Sequence, residues 1–548
     1  MRGAVDAIVV GAGHNGLVCA AYLARAGRKV LVLERRGLVG GAAVSEEIAP
    51  GWRASTASYL ISLLLPDVER ELELARHGYK VLPRNPSSFT PLPDGPAAPA
   101  GADRGNYLLM GPDAELNRRE IARFSARDAE AYPRYEAWLT RIAEALEPAL
   151  EDIPPELLPL PVGIRRRGFV EQWRNARRAL RFHRSLKRLG DDLPTALELL
   201  TGPASPILDR WFESEPLKAT LATDAIIGAL APPSAAGTGY VLLHHVMGVA
   251  GGARGVWGYV EGGMGALTQA LRRSAERAGA TIRCDAPVAR IEVEGDRAVA
   301  VRLASGERIE ADTVVSNATP AVTFLQLLDA AALPANFRAA VGRIDYSSAV
   351  MKINLALSEL PDFNCKPGKA DVGPQHRGTI HIGPTREYIE RAYEDARRGE
   401  PSREPVVEMT LPTSVDATLA PPGRHIAQLF VQYAPYRLAS GHWDERADAF
   451  AERCIDTVTA YAPNFRDAIL HRQVLSPLEL ERRFALTGGN IFHGAMPLHQ
   501  LFGFRPVPGW GDYRTPLRGL YLCGAGAHPG GGVSGAPGRN AARVVLQD

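Results

Sequence analysis

The chain has 548 residues, more than one hydrophobic core usually organises, so its length predicts two lobes. Its 63 basic and 61 acidic residues leave a net charge of +2, which argues against a nucleic-acid partner. The 5 scattered cysteines predict reduced thiols and no metal site. Without a secretory signal or an apolar run of about 18 residues, we expect a cytoplasmic protein, or an organelle-matrix protein in a eukaryote.

The first predicted elements form a strand–turn–helix unit. Val5 to Val10 is a short apolar run typical of a buried parallel strand, and Gly11, Gly13 and Gly16 follow it in the spacing GxGxxG. Leu17 to Ala26 then reads as a helix, and the next segment, KVLVLE, as a second strand. This pattern predicts a βαβ unit that holds the pyrophosphate of a dinucleotide against the helix start.

Glu34 ends the second predicted strand, where a carboxylate can accept hydrogen bonds from adenosine ribose hydroxyls. A 2′-phosphate would be repelled there, so NADP is disfavoured. NAD and FAD both remain open on this motif, as does a glycine-rich turn that holds no ligand.

The segment RRGLVGG follows directly, with Arg36 able to neutralise phosphate and with Gly41 and Ala42 leaving room for it. An ordinary loop is the alternative interpretation. The arrangement resembles the flavoprotein superfamily of amine oxidases and phytoene desaturases, in which this glycine pair passes beside the FAD pyrophosphate. The resemblance implies that the cofactor is FAD.

A basic segment occupies residues 163–190, with Phe169, Trp173, Ala176 and Leu180 recurring at helical spacing on one side. Three interpretations stay open: contact with an anionic membrane surface, a solvated basic face packed on its own lobe, and an oligomer contact. The oligomeric state itself is not predicted.

Residues 221–252 are largely uncharged, which fits either a pocket wall or a buried pair of helices. His244 and His245 lie in this stretch. One of them could approach a flavin, although histidines in apolar surroundings more often have structural hydrogen bonds.

The segment from Val260 to Pro320 predicts a glycine-rich turn, a helix and then a β-meander that returns to the nucleotide sheet. In the resembled superfamily, the valine at the position of Val288 contacts the adenine; the alternative is a strand core residue. Glu261, beside the glycine-rich turn, is a candidate catalytic group or merely fixes the loop.

The last predicted elements are a strand from Leu520 to Cys523, a glycine-rich loop and a helix beginning near Val533 or Ala536. In the resembled family this helix start lies by the pyrimidine edge of the flavin. His528, inside the loop, is the leading catalytic candidate, with backbone hydrogen bonding as its alternative role.

The sequence of the last glycine-rich loop and the helix after it, AHPGGGVSGAPGRNAA, resembles a narrower branch of this superfamily. This branch comprises the phytoene desaturase-related proteins called pyridine nucleotide-disulfide oxidoreductase domain-containing protein 2. Disulfide reductase chemistry is not implied, because Cys19 stands alone in its predicted helix and no later predicted strand runs directly into a GxGxxG turn. Together the motifs predict these FAD-binding residues: Gly11, Gly13, Asn15, Gly16, Glu34, Arg35, Arg36, Gly41, Ala42, Val288, Gly524, Gly532 and Val533.

The predicted fold is α/β, with a discontinuous Rossmann-like FAD-binding lobe and an inserted α+β substrate lobe. The FAD lobe is assigned residues 1–64, 251–330 and 506–548, and the substrate lobe residues 65–250 and 331–505. The expected activity is desaturation or dehydrogenation of an apolar, polyene or lipid-like small molecule by hydride transfer to flavin. The alternatives are an amine oxidase that uses oxygen and a flavin-binding regulatory or interaction protein with little turnover.

Overall fold

The computed structural model describes residues 5–93, 105–157, 168–250 and 253–548. Within these ranges the chain is a mixed α/β protein built on two seven-stranded sheets. Residues 163–167 of the predicted basic segment and the predicted lobe boundary at residues 251–252 lie outside the described residues.

The strands are numbered along the described chain, and their bounds are β1 Val5–Val10, β2 Val30–Leu33, β3 Ser45–Ala49, β4 Trp52–Ser55, β5 Val81–Leu82, β6 Ser88–Pro91, β7 Tyr107–Met110, β8 Val249–Ala250, β9 Ala253–Arg254, β10 Tyr259–Val260, β11 Thr281–Arg283, β12 Val288–Glu294, β13 Arg297–Leu303, β14 Arg308–Ser316, β15 Val350–Leu357, β16 Thr379–Ile382, β17 Val406–Thr410, β18 His425–Gln432, β19 Ile469–Leu475 and β20 Leu520–Leu522.

The α-helices, numbered in the same way, are α1 His14–Arg25, α2 Pro66–Glu71, α3 Ala114–Ala122, α4 Ala126–Leu150, α5 Phe169–Arg188, α6 Leu193–Thr201, α7 Ala204–Trp211, α8 Glu215–Asp224, α9 Thr238–Val246, α10 Met264–Arg277, α11 Ala335–Val341, α12 Arg386–Arg397, α13 Trp443–Thr459, α14 Phe465–Ala468, α15 Pro477–Phe484 and α16 Ala536–Val545.

The first sheet has the order β11-β2-β1-β14-β13-β12, with β20 added beside β14. Strands β11, β2, β1, β14 and β20 run parallel, and β12 and β13 extend β14 as an antiparallel meander. Helices α1, α10 and α16 pack together over this sheet. The predicted βαβ unit, the meander and its return to the nucleotide sheet are therefore confirmed.

Local sequence signals fix the ends of α1. The helix begins directly after the glycine turn and ends at Arg25, and Gly27 follows in the left-handed conformation with φ of 83°. The Gly27 and Arg28 N–H groups bond back to the carbonyls of Ala24 and Leu23, which satisfies the last turn.

The second sheet has the order β19-β15-β18-β17-β16-β6-β7 and is mainly antiparallel. Its core is apolar, and a further helical core formed around α4, α6, α7 and α9 lies beside it. The α/β class and the presence of a second, α+β lobe follow from this arrangement.

The core of the first lobe extends beyond the predicted boundary at residue 64. Leu65, Val68 and Leu72 pack in the same apolar cluster as β1 and α1, and so do Phe337 and Val341 of α11. These short segments carry no nucleotide motif, so sequence patterns alone could not assign them to the first lobe.

Helix α5 shows its apolar residues on the outside. Phe169 is 84% exposed, Trp173 55% and Leu180 49%. Among the described helices, none combines the length and the apolar content that crossing a bilayer requires.

Candidate functional site

One long cavity of about 620 Å³ begins at the carboxyl ends of the parallel strands and continues into the second lobe. Open α/β sheets bind their ligands at this edge. Its first part is lined by Val10 at the end of β1, Gly11 directly after it, Glu34 after β2 and Asn317 after β14. Asn317, which the sequence analysis missed, also donates a hydrogen bond from Nδ2 to the Gly11 carbonyl at 3.3 Å.

The glycines of the first turn are required by close backbone contacts. A Cβ on Gly16 would lie 2.2 Å from the Gly11 carbonyl oxygen, and a Cβ on Gly13 would lie 2.7 Å from Asn317 Nδ2. A Cβ on Gly41 would lie 3.2 Å from the Gly13 Cα. Gly11, Gly13 and Gly41 line the cavity, whereas Gly16 stands behind it and allows α1 to pack against the turn.

Glu34 is buried, and its two carboxylate oxygens organise the turn. Oε2 accepts a hydrogen bond from the Ala12 N–H at 2.8 Å, and Oε1 accepts one from the Arg36 N–H at 3.0 Å. Each carboxylate oxygen keeps a lone pair for a further donor. The side chain lines the cavity together with Val288, so the structure brings both predicted adenosine contacts together.

The two neighbouring arginines have different partners. Arg36 lines the cavity, pairs with Glu46 at 2.8 Å through Nη2, and leaves its buried Nη1 without a hydrogen-bond partner in the described residues. Arg35 also borders the cavity, but its guanidinium donates to the carbonyls of Arg482 and Arg483 at 2.9 and 2.7 Å. Arg36 is therefore the better placed to bind a phosphate.

The last glycine-rich loop closes onto the first turn. Gly532 and Val533 line the cavity, and Gly535 caps α16, which begins at Ala536, the second of the two predicted starts. Burial lowers the pKa of His14 to about 4, partly offset by the Gly532 backbone beside it. Gly524 does not border the cavity; a Cβ there would lie 2.6 Å from the Asn317 carbonyl oxygen, so it serves packing.

The structure does not bring the two predicted catalytic groups, His528 and Glu261, to the cavity. His528 is fully buried beside Phe502, and burial lowers its pKa to about 3, opposed by the carbonyls of Leu150 and Ala149. Glu261 lies at the surface, where its carboxylate pairs with Lys80 at 2.9 Å. Neither side chain is therefore placed for catalysis in this cavity. The sequence located both residues in glycine-rich loops, but it does not reveal which way a loop side chain points.

Both histidines of α9 border the cavity. Burial lowers the pKa of His244 to about 3, and its Nε2 lies 3.4 Å from the position that a Cβ on Gly532 would take. His245 Nδ1 lies at hydrogen-bond distance, 2.8 Å, from the Val241 carbonyl one turn earlier in α9, so this ring nitrogen is already occupied within the helix.

The far part of the cavity contains polar residues that sequence reasoning missed. Tyr59, His381 and Glu408 line it, and in the sheet Phe430 pairs with Glu408 on one side and with the buried Lys352 on the other. Lys352 Nζ lies 4.1 Å from the Tyr59 ring centroid, and burial lowers the pKa of this amine well below its usual range, opposed by Glu408. The sequence gives one signal for Lys352, His381 and Glu408: each is the ionisable residue in an otherwise mostly apolar strand, β15, β16 or β17.

Two cysteines that are far apart in sequence are neighbours in the fold. Cys19 of α1 and Cys523 after β20 are fully buried and in hydrogen-bonding contact, and burial raises the pKa of the Cys523 thiol. Neither borders the cavity. A pair that is fully buried and lies away from the cavity is unsuited to attack on a bound substrate, so this pair gives no support to disulfide reductase chemistry.

The cavity fits a long ligand with a nucleoside end and an anionic centre. Among the described residues, His14 Nε2, Asn15 Oδ1 and Arg36 Nη1 are buried, border the cavity and have no hydrogen-bond partner. Buried polar atoms normally have partners, so these three are placed for a ligand. The Gly13–Gly41 approach leaves room for its phosphates.

Comparison with known proteins agrees with this geometry. Residues 113–431 match the family model described as flavin containing amine oxidoreductase, and residues 9–70 match that of an NAD(P)-binding Rossmann-like domain. Pyridine nucleotide-disulfide oxidoreductase domain-containing protein 2 of Rattus norvegicus is 48% identical, covering 99% of this chain and 93% of the relative.

More distant relatives also align along the whole chain. A limonene dehydrogenase chain of Castellaniella defragrans is 27% identical over 99% of this chain and 94% of its own length. Phytoene desaturase (lycopene-forming) of Paracoccus sp. is 25% identical, covering 100% of this chain and 98% of the relative. A solved oxidoreductase from Methanosarcina mazei shares the fold, with a TM-score of 0.59 at 18% identity over 99% of this chain and 100% of that one.

Proposed function

Because the chain belongs to the flavin containing amine oxidoreductase family, with FAD as its cofactor, we propose that it dehydrogenates a substrate with a long apolar body. The observation that carries this proposal is the composition of the cavity beyond Gly532. Apolar side chains form much of that part of the wall. They come from α4, α8 and α9, from the end of β7 and from the loops beside them, and they are Met110, Tyr132, Leu139, Leu221, Ile227, Leu242, Val246, Val256 and Trp257.

Apolar walls bind by removing apolar surface from water, at about 25 cal/mol per Å². A lipid-like or polyene chain fits such a wall better than a small ion does. Limonene and phytoene, the compounds in the names of two relatives, are hydrocarbons, which supports the same substrate class.

We assign the cofactor contacts to the residues that surround the first part of the cavity. Glu34 would accept hydrogen bonds from the ribose hydroxyls, Val288 would contact the adenine, and Arg36 would pair with the pyrophosphate. Gly532 and Val533, which line the same cavity, would contact the flavin. Arg35 and Gly524 contact other parts of the chain, the carbonyls of Arg482 and Arg483 and the backbone of Asn317, so we assign them a role in holding the site together and no direct contact with FAD.

When bound, FAD supplies a two-electron acceptor for a hydride from a substrate C–H bond. The chain positions the substrate and excludes water. The apolar wall holds the substrate body, and the residue 57–63 segment borders the cavity between Ala42 and the Gly532 loop. A dry, fixed arrangement of this kind raises the effective concentration of the reacting groups.

The test is an anaerobic titration of the purified yellow protein with lipid-like, polyene and amine compounds. We expect the flavin absorbance to bleach with a member of the first two classes. Bleaching by amines alone, with peroxide released in air, would instead establish an amine oxidase. Failure of every class would favour a flavin-binding regulatory protein.

A further inference from the structure

The second sheet carries a row of ionisable side chains across its buried face. Lys352 on β15 pairs in register with Phe430 on β18, which pairs with Glu408 on β17, which pairs with His381 on β16. Lys352 is 1% exposed, and Glu408 and His381 are 6% exposed. Buried charges stabilise a sheet less than apolar residues of similar volume do, so this row points to a ligand rather than to the fold.

One oxygen of the row is left for a ligand. The Tyr59 hydroxyl donates to Glu408 Oε2 at 3.3 Å. Glu408 Oε1 lies 3.6 Å from His381 Nδ1, a ring nitrogen already 3.0 Å from the Thr223 hydroxyl. In the described part of the chain, Oε1 is buried without any hydrogen-bond partner. A donor that enters the cavity can therefore bond to it.

The row lies beside the part of the cavity assigned to the flavin ring. The segment that contains Tyr59 is tied to the pyrophosphate side, because the Ser58 N–H donates to the Ala42 carbonyl at 3.0 Å. Four residues after Tyr59, Leu63 Cδ1 lies 2.7 Å from the position of a Cβ on Gly532. Tyr59 therefore lies on the segment of the cavity wall that connects the Ala42 loop to the Gly532 loop.

The charges at this end are balanced. Burial lowers the pKa of Lys352 well below its usual range and raises the pKa of Asp224, which favours the uncharged form of both side chains. The Glu408 carboxylate is then matched by the Arg84 guanidinium, and both act on Tyr59 and Asp224. A substrate ammonium would add an unmatched cation, and a hydrocarbon would leave Glu408 Oε1 desolvated without a donor. A neutral hydroxyl satisfies both conditions.

We propose that the substrate carries a hydroxyl group on the carbon that is oxidised, and that Glu408 accepts its proton. The O–H bond breaks and its proton moves to Glu408 Oε1, while a C=O bond forms. The hydrogen on that carbon leaves with its electron pair, and bound FAD would supply the acceptor for this hydride. Tyr59 and His381 position the carboxylate. This inference rests on the proposed function and adds a polar head to the apolar body.

The test uses the FAD-loaded protein and three probes of equal chain length: dodecanol, dodecylamine and dodecane. We expect anaerobic bleaching of the flavin by dodecanol at least ~10-fold faster than by dodecylamine. Faster bleaching by dodecylamine would overturn the assignment of a neutral head. Bleaching by a polyene but by neither dodecanol nor dodecylamine would overturn the inference and leave the proposed function intact. No bleaching by any apolar compound would remove both.

Glu408→Gln keeps the shape and removes the proton acceptor. We expect its bleaching by dodecanol to slow by at least ~100-fold, the usual contribution of a general base. Binding of a tertiary alcohol, which has no carbinol hydrogen to lose, should change by less than about 3-fold when followed by the shift of the flavin absorbance bands. Glu198→Gln is the control, since Glu198 pairs with Arg210 outside the cavity.

An unchanged bleaching rate in Glu408→Gln would overturn the proposal, as would equal losses of rate and tertiary-alcohol binding. If this variant loses FAD, Tyr59→Phe provides the decision, because it removes only the hydroxyl that holds Glu408 Oε2. Tyr59→Phe should retain tertiary-alcohol binding and slow bleaching by about 10-fold. Full-rate bleaching in Tyr59→Phe would then count against the positioning role and the proposal.

Discussion

At the scale of single residues, we propose that Glu34 retains the adenosine end of FAD. Glu34 accepts two backbone N–H groups and keeps lone pairs for the ribose, so Glu34→Arg replaces an acceptor with a cation. We expect the ratio of flavin to protein absorbance in the purified variant to fall by more than about 10-fold. Glu47→Arg, at an exposed position outside the cavity, is the control. A fully yellow Glu34→Arg protein would show that the role is misassigned.

The adjacent arginines provide a matched pair at the same scale. Arg36→Met removes the unpartnered Nη1, while Glu46 keeps its contact with Arg483 at 2.9 Å. The loss of a charge-assisted contact predicts FAD binding weaker by about 10- to 100-fold. Arg35→Met, which loses only contacts to two carbonyls, should bind FAD nearly as tightly as the unaltered chain. Equal effects in a fluorescence titration with FAD would contradict the distinction.

At the scale of elements, α5 presents an exposed apolar stripe beside basic residues. Phe169, Val170 and Trp173 are exposed near its start, and Arg177, Arg184 and Lys187 are exposed further along. We propose that this helix binds an anionic lipid surface, because the apolar stripe can enter the headgroup region while the basic residues pair with phosphates.

Co-sedimentation with phosphatidylglycerol vesicles checks this proposal. We expect binding that weakens in high salt and falls by about 10-fold or more in Phe169→Ser/Trp173→Ser. Leu470→Ser, which alters a leucine 45% exposed on β19, is the control and should bind normally. Equal binding to phosphatidylcholine vesicles, or a dimer that dissociates in the double variant, would identify a different role for the stripe.

At the scale of elements, the sequence predicted correctly those features whose conformation depends on neighbouring residues in the chain. The glycine turns, the meander and the start of α16 are specified by φ requirements, alternation and capping, all of which are readable within about 10 residues. The row from Lys352 to His381 joins strands that are up to 78 residues apart along the chain, because register brings Glu408 opposite Phe430. Long-range pairing of this kind is not encoded in any short pattern, so this part of the site could not be predicted.

Across the whole molecule, buried neutral histidines make stability depend on pH. Burial lowers the pKa of His376 from 6.5 to about 4, and its Nε2 lies 2.9 Å from the Pro361 carbonyl. As the pH falls, the unfolded chain binds a proton at this histidine before the folded chain does. The contribution of the neutral His376 to the free energy of unfolding is therefore fully present above pH 6.5 and is lost as the pH falls toward about 4. The pKa values of four further histidines are lowered by burial in the same way: His14, His244, His493 and His528.

Urea unfolding with excess FAD between about pH 7 and about pH 5 should therefore show a falling free energy of unfolding. His376→Gln removes one such group outside the cavity, so the slope should decrease by up to about 1.4 kcal/mol per pH unit. Parallel slopes for the two proteins would show that His376 is not the neutral group inferred here.

The contact between His14 and the Gly532 loop joins segments that are 518 residues apart along the chain. Both segments border the same cavity, so a ligand bound there would contact the two together. Because such a ligand binds only while the segments are in contact, it would favour the folded chain by mass action, and loss of the ligand would loosen the contact first at this place.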